Sequence, residues 1–234
     1  MKLALVTHAE HPELQGSLPD LWPEFMRHDK VVSGFWPRLY EVYPDFQLWA
    51  VDRGARRTVA YACTLPVAWD GEPSPRGVDW AMTNGVGGEP TTLCAIVAGV
   101  VPEYRRLGLA EAILRRMASI AAAHGLDGLI APVRPTWKER YPLTSIESYL
   151  AWRSGDGLLY DPWLRTHERL GAELLGPAPR SLTIAGTRAE WQEWTGLVFP
   201  EDGDYVVPGA LVPVRFKDGQ GIYVEPNVWM RHAV

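Results

Sequence analysis

Two rhythms of apolar residues divide the 234-residue chain. Compact runs rich in β-branched and aromatic residues predict strands at Leu3–His8, Phe46–Asp52, Thr58–Pro66, Thr91–Val101 and Gly128–Val133. The second and third of these are joined by the turn-rich Arg53-Gly54-Ala55-Arg56. Elsewhere apolar residues return every three or four positions, the mark of one buried helix face. Leu21, Trp22, Phe25 and Met26 predict a helix over Pro19–His28, and Val32, Phe35, Trp36, Leu39, Tyr40 and Tyr43 predict another over Val31–Tyr43. A third covers Gly108–His124, with Leu109, Ile113, Leu114, Met117, Ile120 and Ala121 on one face and Gly125 placed to end it. Residues 70–90, rich in Gly and Pro, predict a loop insertion. Gly85-Val86-Gly87-Gly88 within it lacks both the Lys-Ser/Thr and the following helix of a phosphate-binding loop.

Beyond the fifth strand the pattern loosens. Arg134–Tyr160 predicts a second insertion, with a short helix at Ser145–Trp152. Asp161-Pro162 opens a helix by capping and N1 preference, and that helix runs to Leu170 and stops at Gly171. Ser181–Ile184 and Ala210–Phe216 predict the last strands, with a short helix at Ala189–Trp194 between them. Ile222-Tyr223-Val224-Glu225, in the tail Gly221–His232, adds a further strand-like piece. The whole predicts a single domain with two insertions and an extended tail.

Composition narrows the function classes. A net charge of −5 argues against nucleic acid as a partner. Cys63 and Cys94 lie in apolar runs, as free thiols of a reducing compartment do. The longest apolar run, Leu93–Val101, is too short to span a bilayer, and the expectation is a cytoplasmic protein with no membrane partner. Eleven tryptophans is an unusual number, and such rings line cores, interfaces or pocket walls. His8-Ala9-Glu10-His11 is not the zinc-protease pattern, and no metal site is expected.

The most informative segment is Arg105-Arg106-Leu107-Gly108-Leu109-Ala110, between the fourth strand and the helix after it. A chain that turns through Gly into a helix leaves backbone N–H groups free at the positive end of the helix dipole, which together attract a phosphate. The spacing Arg-x-x-Gly-x-Ala, and the longer run from Val100 to Ala110, resembles the pyrophosphate-binding motif of the GCN5-related N-acetyltransferases. The resemblance covers residues 1–133, where the order of strands and helices is that family's.

It implies an α/β fold of the α+β type: a mixed, mostly antiparallel sheet splayed between strands four and five, with helices on both faces. It also implies acetyl-CoA or another acyl-CoA as co-substrate, held by Val100, Arg105, Arg106, Leu107, Gly108, Leu109 and Ala110. A backbone N–H near Val100 would stabilise the oxyanion, and Gly99 would mark a bulge opening the cleft. The implied reaction is direct transfer, in a ternary complex, to an amine of a small molecule; a homodimer is compatible with it. The alternatives are a non-catalytic acyl-CoA-binding or sensor module, or an acyl-CoA hydrolase or decarboxylase.

The family's catalytic Tyr, four residues before a Gly, corresponds here to His167, and its Asn at the helix start corresponds to Tyr160. Both are candidate proton donors. Thr91–Val101 holds no carboxylate, so the base stays open among water, Glu225, His232, Asp161 and Glu147. The Arg134–Arg140 stretch with Trp137 is expected to form a solvated lid over the acceptor site, and Trp191, Trp194 and Trp229 to wall a compact pocket.

Overall fold

The computed structural model describes residues 2–17 and 21–234. Its first five strands are β1 (Leu3–Thr7), β2 (Gln47–Asp52), β3 (Arg57–Val67), β4 (Thr92–Val100) and β5 (Leu129–Val133), within a residue or two of the expected bounds. They pair in chain order, antiparallel except for β4 with β5. That parallel pair makes only two partnerships, Leu93 with Leu129 and Cys94 with Ile130. Beyond them the strands part, leaving a gap that widens toward Val100 and Val133. The implied splay is present.

The second half of the sheet differs from expectation. β6 (Glu173–Thr187) is far longer than Ser181–Ile184, β7 (Gly203–Tyr205) and β8 (Val214–Lys217) are short, and the tail is β9 (Gln220–His232). β9 is no peripheral addition. One of its edges pairs with β6 along almost its whole length, and the other pairs with β8 at its start and β5 at its end.

Alternate residues of the strands feed two cores, as the two-residue period of a strand requires. Leu48, Ala50, Ala60, Ala62, Leu93, Leu129 and Met230 face α3 (Leu109–Ala123), α4 (Ile146–Leu150) and α5 (Pro162–Arg169). Trp49, Tyr61, Cys63, Cys94, Ile130 and Trp229 face α1 (Lys30–Val42) and α2 (Gly77–Thr83). A third core packs α6 (Arg188–Thr195) on the far end of the sheet through Trp191, Phe216 and Tyr223. Trp191 and Trp229 are buried in these cores, so neither walls an open pocket, and Trp194 stacks on His28.

Three local expectations need correction. The helix expected over Pro19–His28 includes Pro19 and Asp20, which lie outside the described residues; within the rest only a 3-10 turn forms, at Glu24–His28. Pro23 disfavours helical geometry at Trp22, and Leu21 and Trp22 reach instead toward β3 and β4. The stretch 70–90 is not all loop, because Val78, Ala81 and Met82 form a buried face on α2. The β4 bulge lies at Ile96, where Cys63 pairs Val97 and Thr64 pairs Ala95. Gly99 has another purpose: a Cβ there would sit 2.6 Å from Leu21 Cδ1 and 3.0 Å from Tyr61 Cε1.

α2 is held down through Gly77. Ser181 Oγ accepts from Val78 N at 3.0 Å, and a Cβ on Gly77 would overlap the Ser181 side chain and approach its Cα to 3.0 Å. Gly77→Ala should therefore destabilise the fold by about 2–3 kcal/mol, read as a lower urea midpoint with unchanged slope.

Candidate active site

Gly108 caps α3 in the left-handed conformation (φ 75°), and Arg106 also has positive φ (63°). These two left-handed residues turn the chain into the head of α3. Among the described residues, the amides of Arg106 through Glu111 donate to no acceptor; the first helical bond is Ala112 N to Gly108 O, 3.0 Å. Nothing lies within 4 Å of a Cβ built on Gly108, so the space beside that residue is open. Arg105 folds back, its Nε donating to the Val100 carbonyl at 3.1 Å. Leu107 is exposed, and Leu109 is buried beneath α3 in the core. Helix start, charge and open space together fit a diphosphate.

The loop stands at the wide end of the gap. Val101 N bonds Val59 O, so Val101 and Gly99 turn their polar groups toward β3. Alternation then turns the Val100 and Ala98 amides away from β3, toward the gap that β5 has vacated. Donors fixed at a strand edge are suited to an oxyanion.

α5 starts at that wide end and runs back toward the closed one. At its start, the Asp161 carboxylate accepts from Trp163 N, Leu164 N, Trp137 N, Thr136 Oγ1 and the Tyr149 hydroxyl. Two of these bonds cap α5, and the three from Thr136, Trp137 and Tyr149 tie the 134–160 segment to it, with Trp137 only four residues beyond the end of β5. The segment is thus packed structure and not a solvated lid. Within it Lys138 is completely buried, its Nζ donating to the Tyr141 and Leu211 carbonyls, and burial draws its pKa down to about 8. Tyr160 sits among Trp137, Tyr141, Tyr149 and Trp152, with its hydroxyl 2.9 Å from that of Tyr141.

His167 lies two turns further along α5. It is 1% exposed, and its Nδ1 is 2.9 Å from His232 Nε2. Burial, with His232 beside it, drives its pKa down to about 3, so the ring is neutral at pH 7. His232 pairs with Leu129, where β4 and β5 are still joined. The His pair therefore marks the closed end of the gap, and Tyr160 the open one. Of the other candidate bases, Asp161 is consumed by capping, Glu147 is exposed on α4, and Glu225 is buried in its pair with Arg134.

Across the wide end, on the α1–α2 face, a second polar group closes the rim. Trp22 Nε1 donates to the Tyr61 hydroxyl on β3 (2.6 Å), while the Arg134 guanidinium, just past β5, lies 5.9 Å over the Trp22 ring. The ring thus reaches from one arm of the gap to the other. Arg134 Nε pairs with Glu225 Oε2 at 2.9 Å, and its Nη2 donates to Gly209 O. Glu225, fully buried, also accepts from the Tyr223 hydroxyl and Asn227 Nδ2. Asp29 and Asp79 complete the group. Burial, then the Asp29 charge, pushes the Asp79 carboxyl up to about 7, and burial raises Asp29. The two aspartates were not legible from sequence: Asp29 fell between two expected helices and Asp79 lay in a supposed loop.

Among the described residues no helix is long and apolar enough to cross a membrane, and no cluster of His, Cys, Asp or Glu is arranged to hold a metal. No protein-family model matches the chain. An arginine N-acetyltransferase of Aspergillus versicolor is 30% identical over 273 aligned positions, covering 99% of this chain and 94% of the relative. Among solved structures, the loading GNATL domain of CurA from Lyngbya majuscula superposes with TM-score 0.65 at 14% identity, covering 100% of this chain and 98% of that one. The GphF GNAT-like decarboxylase in complex with isobutyryl-CoA gives TM-score 0.61 at 16% identity, with 100% and 99% covered. These two likenesses show the fold. Splayed sheet, unclaimed amides at the head of α3 and a full-length relative agree, and the chain belongs to the GCN5-related N-acetyltransferase superfamily.

Proposed function

We propose that this chain transfers an acetyl group from acetyl-CoA to an amine of a small, positively charged acceptor, within a ternary complex. Acyl-CoA-dependent N-acyl transfer is the activity of the superfamily, and the full-length relative is an arginine N-acetyltransferase. The observation that carries the reading is the row of free amides at Arg106–Glu111 beside the widening gap. They would hold the diphosphate and lay the pantetheine arm along β4. The amine attacks the thioester carbonyl, whose oxygen takes negative charge near the Val100 and Ala98 amides, and the new ammonium nitrogen gives up a proton to water. Holding both reactants in line contributes up to about 7–11 kcal/mol against the bimolecular reaction.

Collapse of the tetrahedral species expels the CoA thiolate, which takes a proton. Tyr160 is our donor in preference to His167. It stands at the wide end, and its hydroxyl lies 2.9 Å from that of Tyr141, which can return a proton to it. His167 is neutral, nearly sealed from solvent and at the closed end.

The test is thiol release from acetyl-CoA, with and without a panel of amines. Amine-dependent release is expected. Release without amine would instead indicate a hydrolase or decarboxylase, and tight CoA binding with no release a sensor. Tyr160→Phe should lower kcat about 10²-fold with unchanged acetyl-CoA affinity, as loss of a general acid does. An unchanged kcat would remove Tyr160 from the mechanism.

A further inference from the structure

The acidic group on the α1–α2 face is assembled by a break in the sheet. The β6–β9 register slips between Ala178 and Leu182, opposite Pro226, so that β6 bows out over residues 179–181. The bowed segment takes two partners from outside the sheet: Arg180 N donates to Pro75 O, and Ser181 Oγ accepts from Val78 N at the start of α2. Just past the bow, Thr183 N donates to Asp29 Oδ2. α2 packs against β4, β6 and β9, and so lies across the region of the gap on the face opposite the phosphate loop. Asp29 and Asp79 are thereby held near enough for the charge of Asp29 to raise the Asp79 carboxyl, and Glu225 on β9 acts likewise on Asp29.

Two of these three carboxylates are fully employed. Asp29 caps α1 through Val32 N (2.8 Å) and accepts from Thr183 N, and Glu225 holds Arg134, Tyr223 and Asn227. Asp79 is not. It is 6% exposed, and its Oδ1 is buried with no hydrogen-bond partner among the described residues. Burying a carboxylate oxygen unpaired is costly, and the neighbouring Asp29 adds like charge. Groups kept at such cost concentrate where a ligand supplies the missing partner.

We infer that Asp79, backed by Asp29, anchors a guanidinium or ammonium group of the acyl acceptor, which enters from the α1–α2 face while the thioester lies on the α3 face. The inference rests on the acyl-transfer reading for the word acceptor, but the cation site stands on its own geometry. A guanidinium N–H would complete Oδ1 and supply positive charge where Asp29 adds to the charge on Asp79, Arg76 offsets part of it, and Arg134 is already taken up by Glu225. The site is built to prefer a cation over its uncharged isostere, because a neutral ligand leaves the buried charge unpaired.

The experiment pairs titration calorimetry with kinetics, using CoA-loaded protein with arginine and citrulline as probes. Wild-type protein should bind arginine at least about 10-fold more tightly than citrulline. Asp79→Asn should weaken arginine by at least about 10-fold and raise its KM more than it lowers kcat, with CoA affinity kept. The same substitution removes an unpaired buried charge, so the free variant should melt a few degrees higher than wild type at pH 8. A lower melting temperature, or arginine bound as tightly as by wild type, would overturn the assignment. So would equal affinity of wild type for arginine and citrulline. Amine-dependent thiol release without cation preference would leave acyl transfer standing and remove Asp79. Cation preference through Asp79 with no thiol release under any amine would do the reverse.

Discussion

Gly108→Val should raise the dissociation constant for acetyl-CoA by at least about 10²-fold, equivalent to roughly 2.7 kcal/mol. Two effects combine. At φ 75° a β-branched residue strains the backbone and pulls the amides of 107–110 off their common focus. The new side chain also occupies space that is empty of protein within 4 Å of the built Cβ, which is where a diphosphate would lie. Gly125 supplies the control. It terminates the same helix at φ 69°, and its Cβ direction is likewise open. Gly125→Val should therefore cost similar stability, about 1–2 kcal/mol from the left-handed backbone alone, yet leave CoA affinity unaltered. Equal CoA affinities for the two variants would sink the loop assignment, whatever their melting temperatures.

Glu225→Leu is expected to be the most destabilising single change, by about 3–5 kcal/mol, because it strands Arg134 among buried groups. Tyr223 and Asn227 lose their shared acceptor in the same step. Adding Arg134→Met should restore a good part of the loss, since a missing ion pair is tolerated better than half of one. Urea denaturation of the single and double variants measures the difference. Additive losses would show that the pair does not act as a unit.

What could be read from the sequence was local. β1 to β5 and α3 each carry their own periodicity within a short window, and the Gly108 turn announces itself between a strand and a helix. The parts that escaped depend on partners distant in sequence. β9 contains Glu225-Pro226-Asn227, a polar break that suggests a chain end; in the structure it sits opposite the bow of β6 and is satisfied by Arg134 and Tyr223. β6 carries Gly176, Pro177 and Pro179, which argue against a long strand until two register shifts accommodate them. α2 is a single short run of seven residues with four apolar side chains between Gly- and Pro-rich flanks, too brief to outweigh them. At the site, counting back from Gly171 finds His167, but offset along a helix says nothing about burial or about which end of the gap the residue occupies. The same counting found Tyr160, the donor proposed above.

The placement of β9 also bears on how the sheet is assembled. One edge of β5 meets β4 at only two positions, and its other edge waits for a strand roughly a hundred residues later, Leu129 with His232 and Val133 with Val228. Until that late segment arrives, an apolar strand such as Leu129–Val133 keeps unpaired edges that invite association between chains. Refolding should accordingly be slow and sensitive to protein concentration, with dilute conditions favouring the native product.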